Sequence, residues 1–99
     1  MGQEITVKEL IQRLADGSAL VIDVRLAKDG IIPGAVHIPV TDLEDQTLDW
    51  APETPIVVFC QHGGGGSDYA AEILEEKGYG QVYKLVGGMD DWNRQSNHV

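Results

Sequence analysis

The sequence predicts an α/β domain with a mostly parallel sheet of about five strands and helices on both faces. Three observations point there. Short apolar runs, "ALVID" (19–23), "IVVFC" (56–60) and "QVYKLV" (81–86), suit strands buried inside a parallel sheet. Between them lie segments with helical spacing and their own start and stop signals. The 99 residues, 42% of them hydrophobic, provide one modest core, so a single domain is drawn over residues 1–99.

The elements follow in order. "TVKELIQRLADG" opens with a capping box, Thr6 and Glu9, and ends at Gly17. Val7, Leu10, Ile11 and Leu14 recur at helical spacing and form the expected inward face. "ALVID" is the first strand. "AVHIPV" (35–40) reads as a second, reached through a Pro33–Gly34 turn. In "TDLEDQTLDW", Thr41 and Glu44 form another Thr-x-x-Glu pair and predict one or two helical turns. Pro52 and Pro55 bracket the start of "IVVFC", the clearest strand. A helix is expected from Ser67, with Ala70, Ile73 and Leu74 inward and Gly78 as its stop. "QVYKLV" is the last strand, and Gly87–Gly88 turn it into a short terminal helix, "MDDWNRQ".

Charge and composition exclude several functions. The formal net charge is −9, spread over both halves of the chain with no basic face, so nucleic acid is not an expected partner. No apolar run approaches the ~20 residues that span a bilayer, and no secretory signal opens the chain. The expectation is a cytoplasmic protein with no membrane partner, and a monomer is favoured. One cysteine cannot form an internal disulfide; it suits a reducing compartment or a thiol kept for chemistry. With that cysteine and three scattered histidines, neither a metal site nor a cofactor is expected.

The chemistry concentrates in "VVFCQHGGGGSDYAAEIL" (57–74). Cys60 ends a strand, and ligands of parallel sheets bind at the carboxyl ends of strands. A free thiol has a pKa of ~8.5, while the thiolate is the reactive form. The start of the following helix favours negative charge through its free N–H groups and dipole. Residues 61–66 can curl so that successive N–H groups turn inward as an anion-binding nest, and glycine permits the tight curl. The plain alternative is a small buried hydrophobe beside a flexible turn. The order strand, cysteine, glycine loop, helix favours a functional thiol. A phosphate-binding P-loop is excluded, because no Gly-Lys-Ser/Thr closes this loop.

On these residues the chain resembles the single-domain rhodanese family. "VIDVR" (21–25) is similar to the family's first signature, and "IPGAVHIPV" (32–40) to its second, with Ile31 where a His is usual. "IVVFCQHGGGGS" fits the active-site strand and loop, and "YKLVGGMDDW" (83–92) the closing Leu-x-Gly-Gly-x-x-x-Trp signature. The resemblance implies a rhodanese-like domain and a thiosulfate:cyanide type of sulfurtransferase, or a persulfide carrier. Cys60 would be the nucleophile. Backbone N–H groups of Gln61, His62, Gly63, Gly64, Gly65 and Gly66, with Ser67 at the helix start, would hold the donor's anionic oxygens and the persulfide. The implied partners are a small sulfur donor, thiosulfate or a persulfide, and a thiol or protein acceptor.

Two departures bear on activity. Six residues separate Cys60 from Ser67, one more than the family usually has, and Gly66 stands where Arg or Lys is expected. Weak use of thiosulfate follows. A non-catalytic, regulatory protein-binding module is the alternative reading. A rhodanese-related phosphatase or arsenate reductase is a further one, but phosphoryl transfer needs the missing cation. Arg25 is an auxiliary candidate, paired with Asp29 or turned toward the loop; the favoured reading is a structural one, Arg25 packed at a strand end and bonded to a nearby acid. Asp23 reads as a structural hydrogen-bonding residue. His62 offers a hydrogen bond or a charge at the loop.

Overall fold

The structure, a computed structural model, describes residues 3–26, 32, 34–62 and 65–96. Five strands form one sheet: β1 (Gln3–Ile5), β2 (Leu20–Asp23), β3 (Val36–His37), β4 (Ile56–Phe59) and β5 (Val82–Leu85). They lie in the order β1-β5-β4-β2-β3, and every pairing is parallel. Four helices complete the domain: α1 (Val7–Asp16), α2 (Val40–Leu43), α3 (Gly65–Glu76) and α4 (Gly88–Ser96).

β4 is the central strand, and all four of its residues are buried. Because side chains alternate along a strand, Ile56 and Val58 enter one core with Leu43 of α2 and Ala70, Ile73 and Leu74 of α3. Val57 and Phe59 enter the other, with Val7 and Leu10 of α1 and Met89 of α4. Two-sided burial is what makes this strand an unbroken apolar run in the sequence.

The capping box forms as the sequence predicts. Glu9 N donates to Thr6 Oγ1 at 3.2 Å, and Thr6 N donates to Glu9 Oε1 at 3.0 Å. Gly17 ends α1 in the left-handed region. Ile11, however, is 44% exposed, so the inward face of α1 is narrower than its apolar spacing suggests.

Three boundaries differ from the sequence reading. The expected strand over 35–40 is paired only at Val36–His37, because Pro39, with no N–H to donate, becomes the N-cap of α2. Thr41 therefore lies inside that helix and caps nothing. α3 begins at Gly65, two residues before Ser67, so the end of the glycine run is helical. Of the Pro33–Gly34 turn, Pro33 lies outside the described residues, while Gly34 has a φ of 87°.

Gly87 sets the direction of α4. Its φ is +75°, and an added Cβ would stand 2.2 Å from Asp91 Cγ and 2.7 Å from Asp91 Cβ. The left-handed backbone alone costs a non-glycine residue about 1–2 kcal/mol. Adding the clash, Gly87→Ala should lower stability by about 2–4 kcal/mol, read as a drop in the urea midpoint at unchanged slope. A loss below about 1 kcal/mol would mean that α4 re-seats without strain.

Candidate functional site

The carboxyl ends of β2 and β4 meet the first turns of α3 and α4. Cys60 is the residue after β4 and is half-buried. Its Sγ lies 3.7 Å from Oγ of Ser67, a fully buried residue in the first turn of α3. The leading N–H groups of a helix have no partner within it, so α3 presents donors and the positive end of its dipole at its start. The first turn of α4 is engaged differently. Met89 N donates to Cys60 O at 2.8 Å, and Asp90 N to Gln61 O at 3.0 Å. Those two bonds fasten the backbone on either side of the peptide that follows the thiol.

A chain of side-chain bonds runs beside them. Asp23 Oδ1 accepts from Arg25 N and from Arg25 Nε, both at 3.0 Å, and Oδ2 accepts from Nη2 at 2.8 Å. Both residues are buried, and the guanidinium lies over the Phe59 ring, 5.7 Å from its centroid. Arg25 Nη1 donates to Gln61 Oε1 at 2.9 Å. Gln61 Nε2 donates onward to Asp90 Oδ1 at 2.7 Å, and His62 Nδ1 meets Asp90 Oδ2. Behind Arg25, His37 Nε2 bonds to its carbonyl oxygen at 2.7 Å.

Asp90 is held below the usual carboxylate range, first by the Gln61 amide and then by His62. A lowered carboxyl favours the native state above its unfolded value, and that contribution is lost as pH falls through the native one. The contacts of Asp90 therefore persist at neutral pH and weaken on acidification.

The structure brings Cys60, Gln61, His62, Gly66 and Ser67 to one end of the sheet. Gly63 and Gly64 lie outside the described residues, and Gly65 belongs to α3. Arg25 is packed at the end of β2 and bonded to a nearby acid, Asp23, as the favoured reading has it, and it also reaches the loop through Gln61; Asp29 lies outside the described residues. Asp90 is the residue that sequence reasoning missed. Its only signal was an acid just past the Gly87–Gly88 turn, at a helix start. Among the described residues, no cluster of His, Cys, Asp or Glu could hold a metal ion, and no helix is long and apolar enough to cross a membrane.

A five-stranded parallel sheet with a single thiol at the end of its central strand, facing the start of a helix, defines a rhodanese-type domain. The rhodanese-like domain matches residues 6–95, and the chain belongs to that family. Solved structures agree. The human single-domain sulfurtransferase TSTD1 is 27% identical with a TM-score of 0.85, covering 100% of both chains. A Bacillus halodurans protein, BH2092, is 28% identical with a TM-score of 0.84, over 96% of this chain and 74% of its own. A rhodanese homologue from Thermus thermophilus is 29% identical with a TM-score of 0.73, over 89% of this chain and 98% of its own.

Proposed function

We propose that the protein is a sulfurtransferase or persulfide carrier that moves sulfane sulfur through Cys60. The observation that carries this reading is the thiol at the end of the central strand, with Sγ 3.7 Å from the buried Ser67 hydroxyl in the first turn of α3. That environment suits an anionic sulfur, as thiolate and again as persulfide. Family membership and the likeness to a human single-domain sulfurtransferase support it.

In the loading step the Cys60 thiolate attacks the outer sulfur of the donor. A bond forms between Sγ and that sulfur, and the donor's S–S bond breaks, its electron pair leaving with sulfite when the donor is thiosulfate. In the discharge step an acceptor thiolate attacks the outer sulfur of the persulfide, and Cys60 leaves as thiolate. Gln61, His62, Gly63, Gly64, Gly65, Gly66 and Ser67 are the proposed substrate-binding set. The acceptor is a small thiol or a protein thiol, and a thiol-rich cytoplasm suits such an exchange. No Arg or Lys lies between Cys60 and Ser67, which tells against phosphoryl chemistry.

Incubation with a persulfide donor should add ~32 Da, one sulfur atom, to the wild type, because its only thiol is the acceptor. Cys60→Ser should stay unmodified. A wild type left unmodified by several donors would overturn the carrier and leave a protein-binding module.

A further inference from the structure

We infer that His62, oriented by Asp90, is the general base that ionises the incoming acceptor thiol in the discharge step. The inference rests on the persulfide-carrier reading above and assigns the side chain that prepares its second substrate.

The geometry begins with a contrast. The His62 side chain is 79% exposed, yet its Nδ1 is engaged by a carboxylate. That carboxylate is itself fixed. Asp90 N bonds to Gln61 O, and Asp90 Oδ1 accepts from Gln61 Nε2. Gln61 Oε1 in turn accepts from Arg25, which Asp23 holds in the protein interior. Asp90 does not spend its side chain on capping its own helix, because loop carbonyls already take the N–H groups of Met89 and Asp90. Both of its oxygens face the two residues that follow Cys60.

The consequence is a defined tautomer. An imidazole whose Nδ1–H donates to a carboxylate keeps its lone pair on Nε2, turned away from that carboxylate and able to accept a proton. His62 stands two residues past the thiol, and its side chain is open to an approaching acceptor. The charged neighbours suit the role. Asp90 faces the ring from α4, and Arg94 bears on Asp90 from the same helix. Arg25 reaches Asp90 from the end of β2 through Gln61, and Asp68 of α3 is engaged by Lys84 of β5 at 2.5 Å.

The step balances. Nε2 of neutral His62 takes the proton of the acceptor's S–H. The resulting thiolate attacks the outer sulfur of the Cys60 persulfide, and the S–S electron pair returns to Sγ. The products are the acceptor persulfide anion, the Cys60 thiolate and the His62 imidazolium, which gives its proton to water. An acceptor that is already ionised needs none of this.

That distinction supplies the test. Wild type, His62→Gln and Asp90→Asn are each loaded to completion with a persulfide donor, and the ~32 Da gain of one sulfur atom is confirmed by mass. Discharge is then timed in single turnovers from about pH 5 to pH 9, with an alkyl thiol and with an aromatic thiol that is ionised at neutral pH. At pH 7 the wild type should favour the alkyl thiol about 100-fold more, relative to the aromatic one, than His62→Gln does. Its alkyl profile should carry a low-pH inflection that His62→Gln lacks, and Asp90→Asn should fall between the two. Equal alkyl-to-aromatic ratios with superimposable pH profiles would overturn the assignment while the carrier reading stands. Failure of wild-type Cys60 to load would overturn both.

Discussion

Asp23→Ala should reduce the stability of the native protein by about 3–5 kcal/mol, the range for breaking a buried ion pair by removing one partner. Total stabilities of domains this size run to about 5–15 kcal/mol, so the loss is about a fifth of the whole or more. Three hydrogen bonds from Arg25 end on this one carboxylate, and Asp23 and Arg25 are 2% and 7% exposed. Removing the acid leaves a guanidinium against the Phe59 ring without its bidentate anion. Asp23→Asn should cost less, because its amide oxygen can still accept two of the bonds. The urea midpoints of both variants at neutral pH check this. A loss below about 1 kcal/mol for Asp23→Ala would mean that Arg25 escapes to water, and the bond to Gln61 would not be a fixed anchor for the loop.

How much of this was legible in the sequence follows from where each signal is written. β2, β4 and β5 were readable because strands in the sheet interior must carry apolar residues. β1 was not, since Gln3 and Glu4 are exposed and this edge strand is held to β5 by backbone pairing. The two Thr-x-x-Glu patterns look alike in sequence, yet Thr6 caps a helix and Thr41 does not. Pro39, with φ fixed at −54°, starts the second helix before Thr41 is reached. The start of α3 was hidden because glycine ranks near the bottom in helix propensity and carries no side-chain signal. At the site, Cys60 and Ser67 are announced by local order alone. Asp90 is not, because Gln61 and His62 lie 29 and 28 residues before it and only the fold brings them together.

Gly66→Arg should raise kcat/KM for thiosulfate by roughly 10- to 150-fold, the equivalent of a charge-assisted hydrogen bond of ~1.5–3 kcal/mol. Thiosulfate is a dianion, and it approaches a chain of net charge −9 whose loop from Gln61 to Gly66 contains no Arg or Lys. Backbone N–H donors can solvate an anion without cancelling its charge. A side chain fits at this position. An added Cβ on Gly66 would lie 3.5 Å from Cys60 Cβ, an ordinary van der Waals contact, and its backbone is outside the left-handed region. Gly66 also belongs to the first turn of α3, where Arg is a better helix former than Gly, so the fold should not suffer. Because a cation there attracts substrate and transition state alike, the gain should appear mainly as a lower KM. Gly66→Gln, of similar reach without the charge, separates attraction from bulk and should give little. The advantage of the Arg variant should shrink as salt is raised. If Gly66→Gln matches Gly66→Arg, or if the wild type already turns over thiosulfate as well as the Arg variant does, the missing cation does not limit this site. The backbone donors at the start of α3 would then be sufficient for a dianion.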